Sequence, residues 1–298
     1  MYETGRIDEQ RKLEMGIQED AMIVNLSIGF WHGYRVDQKK SEELTESAGA
    51  EADAARVNKH LIPKEALKTL TRSANTLRSH FYDRTLPWRD NGDRLLPRKM
   101  YMRFIDEHGD RKHSFVEEVD SFVTQVYPKI RESAAFRMGD MFNVDDYPHP
   151  DEVRRRFNVS LSIDAVSSAD DFRVALDKAA AAEVRASIEA ELTERIARAS
   201  RAPFERLFAT IERFKLALEG ERGVRKSTLE NLTELADILP QLNFSNDHSI
   251  DSLCARVKLM LGNLETTDLK NDPALKLKLS KDAAAIMSKM AGYMSAMA

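Results

Sequence analysis

Cysteine is almost missing from this chain. Cys254 stands alone among 298 residues, which excludes an internal disulfide and any multi-cysteine metal site, and makes a reducing compartment the default. Glycine (12) and proline (9) are sparse for the length, and aromatics make up only 7%; few breakers argue against an all-β fold and against a disordered tail. No run approaches the ~20 apolar residues of a spanning helix. Residues 1–20 alternate charge and polarity without the apolar centre of a signal peptide. Charge of one sign is not in excess either: a net charge of -4 and a pI near 6.0 give no global nucleic-acid signature. These absences point to a soluble, cytoplasmic protein without a membrane segment.

Catalytic signatures are missing as well. There is no P-loop, dinucleotide fingerprint, nucleophile elbow or zinc-protease HExxH. The seven histidines are scattered, and His108 and His113, five apart, do not share a helical face. No catalytic residue, cofactor or metal is expected on this reading.

What the chain does have is charge, 32% of residues, beside 42% hydrophobic residues, the mixture of long solvated helices. Two stretches alternate instead. From Met22 to Val36 the even positions Met22, Val24, Leu26, Ile28, Phe30, His32, Tyr34 and Val36 alternate with Asn25, Ser27, Gly29, Gly33 and Arg35 as one half-buried strand; Trp31 breaks its polar face, and Gly29 and Gly33 mark a bulge or bend. Phe157, Val159, Leu161 and Ile163 alternate with Asn158, Ser160, Ser162 and Asp164. A lone strand leaves its backbone groups unsatisfied, so the two are expected to pair as a small two-stranded antiparallel element. Helices are expected over 42–61, from Pro63 through Phe81, and over 98–136 with interruptions at Gly109 and Pro128; 85–97 and 140–150 read as loops. A helix from Ser168 to Leu218, kinked or split at Pro203, holds Val184, Ile188, Leu192, Ile196, Leu207, Ile211, Phe214 and Leu218 on one face. Unbroken, its roughly 50 residues would span about 75 Å. Further helices fall at 224–238, 247–264 and 273–296. The expected fold is therefore mainly α, an elongated, coiled-coil-like helical bundle with one small β element. It divides into a polar segment 1–20, a strand–helices–strand module 21–166 and a helical bundle 167–298.

Three features invite a function. The segment 68–103 is locally basic, and Arg84, Arg89, Arg94, Arg98, Lys99 and Arg103 are interleaved with Phe81, Tyr82, Trp88 and Tyr101, a pairing that suits phosphate neutralisation with base stacking. A protein-docking surface or, the favoured reading, a solvated structural face explains the same residues. The loop Asp145-Asp146-Tyr147-Pro148-His149-Pro150-Asp151 gathers carboxylates and an imidazole that suit a hard cation, zinc or manganese; a proline-braced turn whose aspartates cap the next helix is the favoured reading. At the end of the chain Met287, Met290, Met294 and Met297 recur at helical spacing. Such a stripe is more often core than an adaptable contact face, and a self-association seam is the alternative.

The residues 59–67 (Lys-His-Leu-Ile-Pro-Lys-Glu-Ala-Leu), Leu86-Pro87-Trp88, Leu95-Leu96-Pro97, Asp145-Asp146-Tyr147-Pro148, the strand from Phe157, Asp171-Phe172-Arg173, Asn231 to Leu235 and Leu239-Pro240 resemble an uncharacterised family of bacterial and phage proteins, a domain of unknown function. The resemblance implies genes near those of MoxR-like AAA+ ring ATPases and von Willebrand-type partners, often in phage or mobile DNA. It carries over no catalytic residue. The leading expectation is a non-enzymatic helical adaptor or scaffold acting through protein contacts, as a partner of such an ATPase or as a homo-oligomer. Trp88, Met287, Met290, Met294 and Met297 are its docking residues. The alternative is a nucleic-acid-binding protein of phage DNA metabolism that uses the segment 68–103.

Overall fold

Strand β1 (Ala21–Gly29) begins the description, which a computed structural model gives for residues 17–171, 174, 177–221, 223–262 and 264–296. The expected pairing of β1 with the distant strand β6 (Asn158–Ala165) is present, but the sheet is larger than two strands. Its order is β4-β5-β1-β6, with β4 (Leu86–Pro87) and β5 (Arg94–Pro97) forming an antiparallel pair inside the stretch expected to be loop. Met22 faces Leu96 and Val24 faces Arg94, while Pro87 faces Arg94 from the other side. Pro87 sits on the edge strand, where its missing N–H costs no ladder bond.

β1 ends at Gly29, short of the strand expected to run on to Val36, and the chain turns at Gly33. Gly33 has a φ of 61°, and a Cβ there would fall 2.3 Å from Ile62 Cγ1. Only glycine fits, and its carbonyl accepts the Leu61 N–H at 2.7 Å. Beyond it, β2 (Tyr34–Asp37) pairs antiparallel with β3 (Val57–His60) as a second sheet. The helix expected over 42–61 is thus confined to α1 (Gln38–Ser47), capped by the Asp37 side chain. The chain is mainly α, as expected, with two small antiparallel sheets in place of one two-stranded element.

By their contacts the described residues form two units. One holds Leu26–Phe81 and Ile105–Leu161; the other holds residues up to Asn25, Tyr82–Phe104 and those from Ser162 onward. The division expected at 166/167 differs from this, because the β4–β5 hairpin groups with the C-terminal helices.

The first unit packs α2 (Lys68–Asp83), the later part of α3 (Arg98–Ser121) and α4 (Tyr127–Met138) around Trp31, Leu70, Leu77, Phe115, Phe122 and Tyr127. Gly109 does not interrupt α3. Pro128 does act, by another route: residues 122–126 widen to a π turn in which the Tyr127 N–H reaches Phe122 O. A proline cannot donate to the carbonyl four residues back, and the wider turn absorbs the mismatch.

In the second unit α6 (Lys178–Glu219) runs for 42 residues, about 63 Å at 1.5 Å per residue. It starts at the Asp177 cap, later than Ser168, and passes through the buried Pro203 without ending. Leu192, Ile196, Leu207, Ile211, Phe214 and Leu218 form its buried stripe, as their spacing requires. That stripe packs against α7 (Lys226–Leu242) and α10 (Pro273–Ala296). α7 pairs with α8 (His248–Leu261), and the short α9 (Thr266–Asn271) leads into α10. No helix among the described residues is long and apolar enough to cross a membrane.

Candidate functional site

The basic segment does not present its cations outward as one set. Arg84 is buried and ion-paired to Glu234 at 2.8 Å. Arg89 bridges to Asp93 at 3.2 Å, and Arg98 to Asp20 at 2.9 Å. Lys99 donates to Asn246 Oδ1 at 2.6 Å. Arg94 donates to Thr85 Oγ1 and to Thr85 O, with its guanidinium 4.8 Å from the centre of the Tyr82 ring. Arg103 is engaged as well. These side chains hold the hairpin and its neighbours together, which is the structural reading of the segment.

Trp88 is 1% exposed. Its indole is a core group and offers no surface for docking, which corrects the expectation. The methionine stripe is divided. Met290 is fully buried beside Ile286, as core. Met287 is half-buried and Met294 likewise, and Met297 lies outside the described residues.

The 145–151 loop is also structural. Asp146 is buried, ion-paired to Arg35 at 3.3 Å and in close contact with Lys59 Nζ, and Lys59 in turn lies 3.8 Å from Asp37. The cluster ties the loop to β2 and β3. The helix that follows, α5 (Pro150–Arg155), is capped by the His149 ring, which accepts the Asp151 N–H at 3.4 Å, and not by an aspartate as expected. No group of three or more His, Cys, Asp or Glu among the described residues is arranged to hold a metal.

A buried titratable pair occupies the helical layer of the first unit. His80 bonds Glu107 at 2.9 Å, and its ring centre lies 6.3 Å from that of His108. Burial holds the His108 pKa below its ordinary value, and Lys112 and Arg111 push it the same way. The folded state therefore refuses a proton that the unfolded chain accepts, so stability is lost as pH falls through about 6.5. Denaturation midpoints should drop between about pH 7.5 and about pH 5.5, and His108→Gln should flatten that slope. His80 and Glu107 are present in both proteins, so the difference between the curves isolates His108.

The sequence did not point to a cleft of about 370 Å³ in the second unit, where the end of α2 and the residues before β4 meet α6 and α7. Asp83, Arg84, Arg206 and Arg213 line it together with Glu234 and Asn231. Arg206 donates to Asp83 O at 3.2 Å and also to Thr85 O, the carbonyl that Arg94 uses. Arg213 donates to Ala209 O and Thr210 Oγ1. Burial lowers the Arg206 pKa, and it lowers that of Arg94 to about 10, helped by Arg206 itself. Burial raises that of Asp83, against the pull of Arg206 and Arg84. Arg206 and Arg213, seven apart on α6, are the only trace of this site legible in the sequence, and such spacing is common on any solvated helix.

A shallower groove of about 220 Å³ lies between α6 and α10, lined by Glu212, Lys215, Leu216, Ala284 and Met287. Leu216, in the last turn of α6, is 60% exposed, large for a leucine. The chain matches no family model, no curated protein and no solved structure.

Proposed function

We propose that the protein is a helical adaptor that docks a protein partner in the groove between α6 and α10. The carrying observation is the apolar floor of that groove: Leu216, Ala284 and Met287 together, with Glu212 and Lys215 at its margin. An apolar centre with a charged rim is the anatomy of a modest protein contact, and an unbranched methionine adapts its shape to what it meets. Met287 belongs to the stripe that the sequence singles out, whereas Met290 is fully buried and does not line the groove. The resemblance to proteins encoded beside MoxR-like AAA+ ATPases names the partner to try first, in a phage or mobile-element setting.

The test is co-elution of the full chain with such an ATPase on size exclusion, read together with ATP turnover. A joint peak with altered turnover supports the adaptor reading. Separate peaks with unchanged turnover contradict that partner, and a concentration-dependent dimer of the chain alone assigns the groove to self-association.

A further inference from the structure

We propose that the cleft between α6, α7 and the end of α2 binds a small phosphate monoester, its phosphoryl group held by Arg206 and Arg213 and its organic end lying against Leu235 and Ile238. The site stands apart from the α6–α10 groove and does not rest on the adaptor reading.

The charge arrangement is the first reason. Three arginines line the cleft against two carboxylates, Asp83 and Glu234, and Arg84 already takes Glu234 at 2.8 Å. Neither Arg206 nor Arg213 forms an ion pair among the described residues; both donate to neutral oxygens. Arg94 shares the Thr85 carbonyl with Arg206 and likewise has no ion pair among the described residues. Two half-buried guanidinium groups drawn to one carbonyl repel each other, and an arriving dianion relieves that repulsion. The crowding is visible in Arg94, whose pKa is depressed to about 10 by burial and by Arg206.

The second reason is the donor set. Guanidinium forks match the oxygens of a phosphate, often two at a time. Around them stand the Thr228 hydroxyl and the Asn231 side chain, neutral groups able to donate to the remaining oxygens. Size is the third. A cleft of about 370 Å³ is in the range of small-molecule sites and is larger than an inorganic phosphate needs. Leu235 and Ile238 give the rest of its wall an apolar character, which favours an ester carrying a hydrocarbon or aromatic group over the bare ion.

The probe is phenyl phosphate, titrated calorimetrically into the full chain, with inorganic phosphate and benzoate as comparisons. Saturable binding is expected, tightest for phenyl phosphate, weaker for phosphate and weakest for benzoate. Arg213→Glu removes an exposed side chain from the wall and should weaken phenyl phosphate by about tenfold or more while leaving the unliganded melting curve in place. Arg206→Lys keeps the charge but loses the fork, and should weaken binding with helical content retained; circular dichroism on the same sample shows that it has folded. The proposal is overturned if phenyl phosphate shows no saturable heat, if benzoate binds as tightly, or if both variants bind like the parent. A single-stranded DNA oligonucleotide that binds tightly and is not displaced by phenyl phosphate would also overturn it, by assigning the arginines to nucleic acid.

Discussion

Replacing Trp88 by alanine is expected to lower the unfolding free energy of this protein by about 3–5 kcal/mol, the usual cost of emptying a large aromatic site in a packed interior. The side chain is 1% exposed, just beyond β4, so nearly all of its contacts are internal. Among the described residues its indole Nε1–H finds no acceptor, so the loss comes from packing and not from a broken hydrogen bond. Trp88→Phe keeps a ring and removes that unsatisfied donor, and should cost much less. Thermal melts followed by circular dichroism check both variants. A tryptophan that served as a docking anchor would behave in the opposite way: the alanine variant would melt with the parent and lose only its partner.

The second large effect belongs to Asp146. Asp146→Ala should destabilise the protein by about 3–5 kcal/mol, because it strands a buried cation whose counter-charge has gone. Among the described residues Lys59 then keeps Asp37 at 3.8 Å as its one ionic partner, and its side chain is 9% exposed. Asp145→Ala, one residue away and exposed, should change stability by less than about 0.5 kcal/mol. The contrast separates an ion cluster from a cation site. If the loop held a metal through its carboxylates, both substitutions would matter and a chelator would lower the melting temperature of the parent. The ion-cluster account expects the chelator to have no effect.

How far the sequence carries the fold depends on how many residues each element has in which to show its period. The buried face of α6 was legible because Leu207, Ile211, Phe214 and Leu218 repeat it for several turns. β1 and β6 were legible as alternating runs, although the first run continues to Val36, past the end of β1 at Gly29, and their need for partners made them neighbours in one sheet. β3 was not, because Val57-Asn58-Lys59-His60 is short and polar; its Lys59 is buried by an ion cluster whose members lie far apart in the chain. β4 and β5 span two and four residues between turn formers, and Pro87 and Pro97 disguise them.

The sites follow the same logic. Segment 68–103 was legible as basic, but composition could not tell that Arg84 turns inward to Glu234, 150 residues later. The cleft joins Asp83 and Arg84 to Arg206, Arg213 and Asn231, an assembly made by packing and invisible in any local window. The methionine pattern showed that α10 has an apolar stripe. Only the packing against α6 shows that Met290 is interior while Met287 lines the groove.

That groove carries the central claim, and the most direct measurement is binding of a MoxR-like AAA+ ATPase, the proposed partner, to the parent chain and to a Leu216→Glu, Met287→Glu double variant. Both substituted side chains reach the surface, so the variant should fold and melt close to the parent. The account predicts that the parent co-elutes with the ATPase and that the double variant does not. A folded variant that co-elutes as fully as the parent would contradict it.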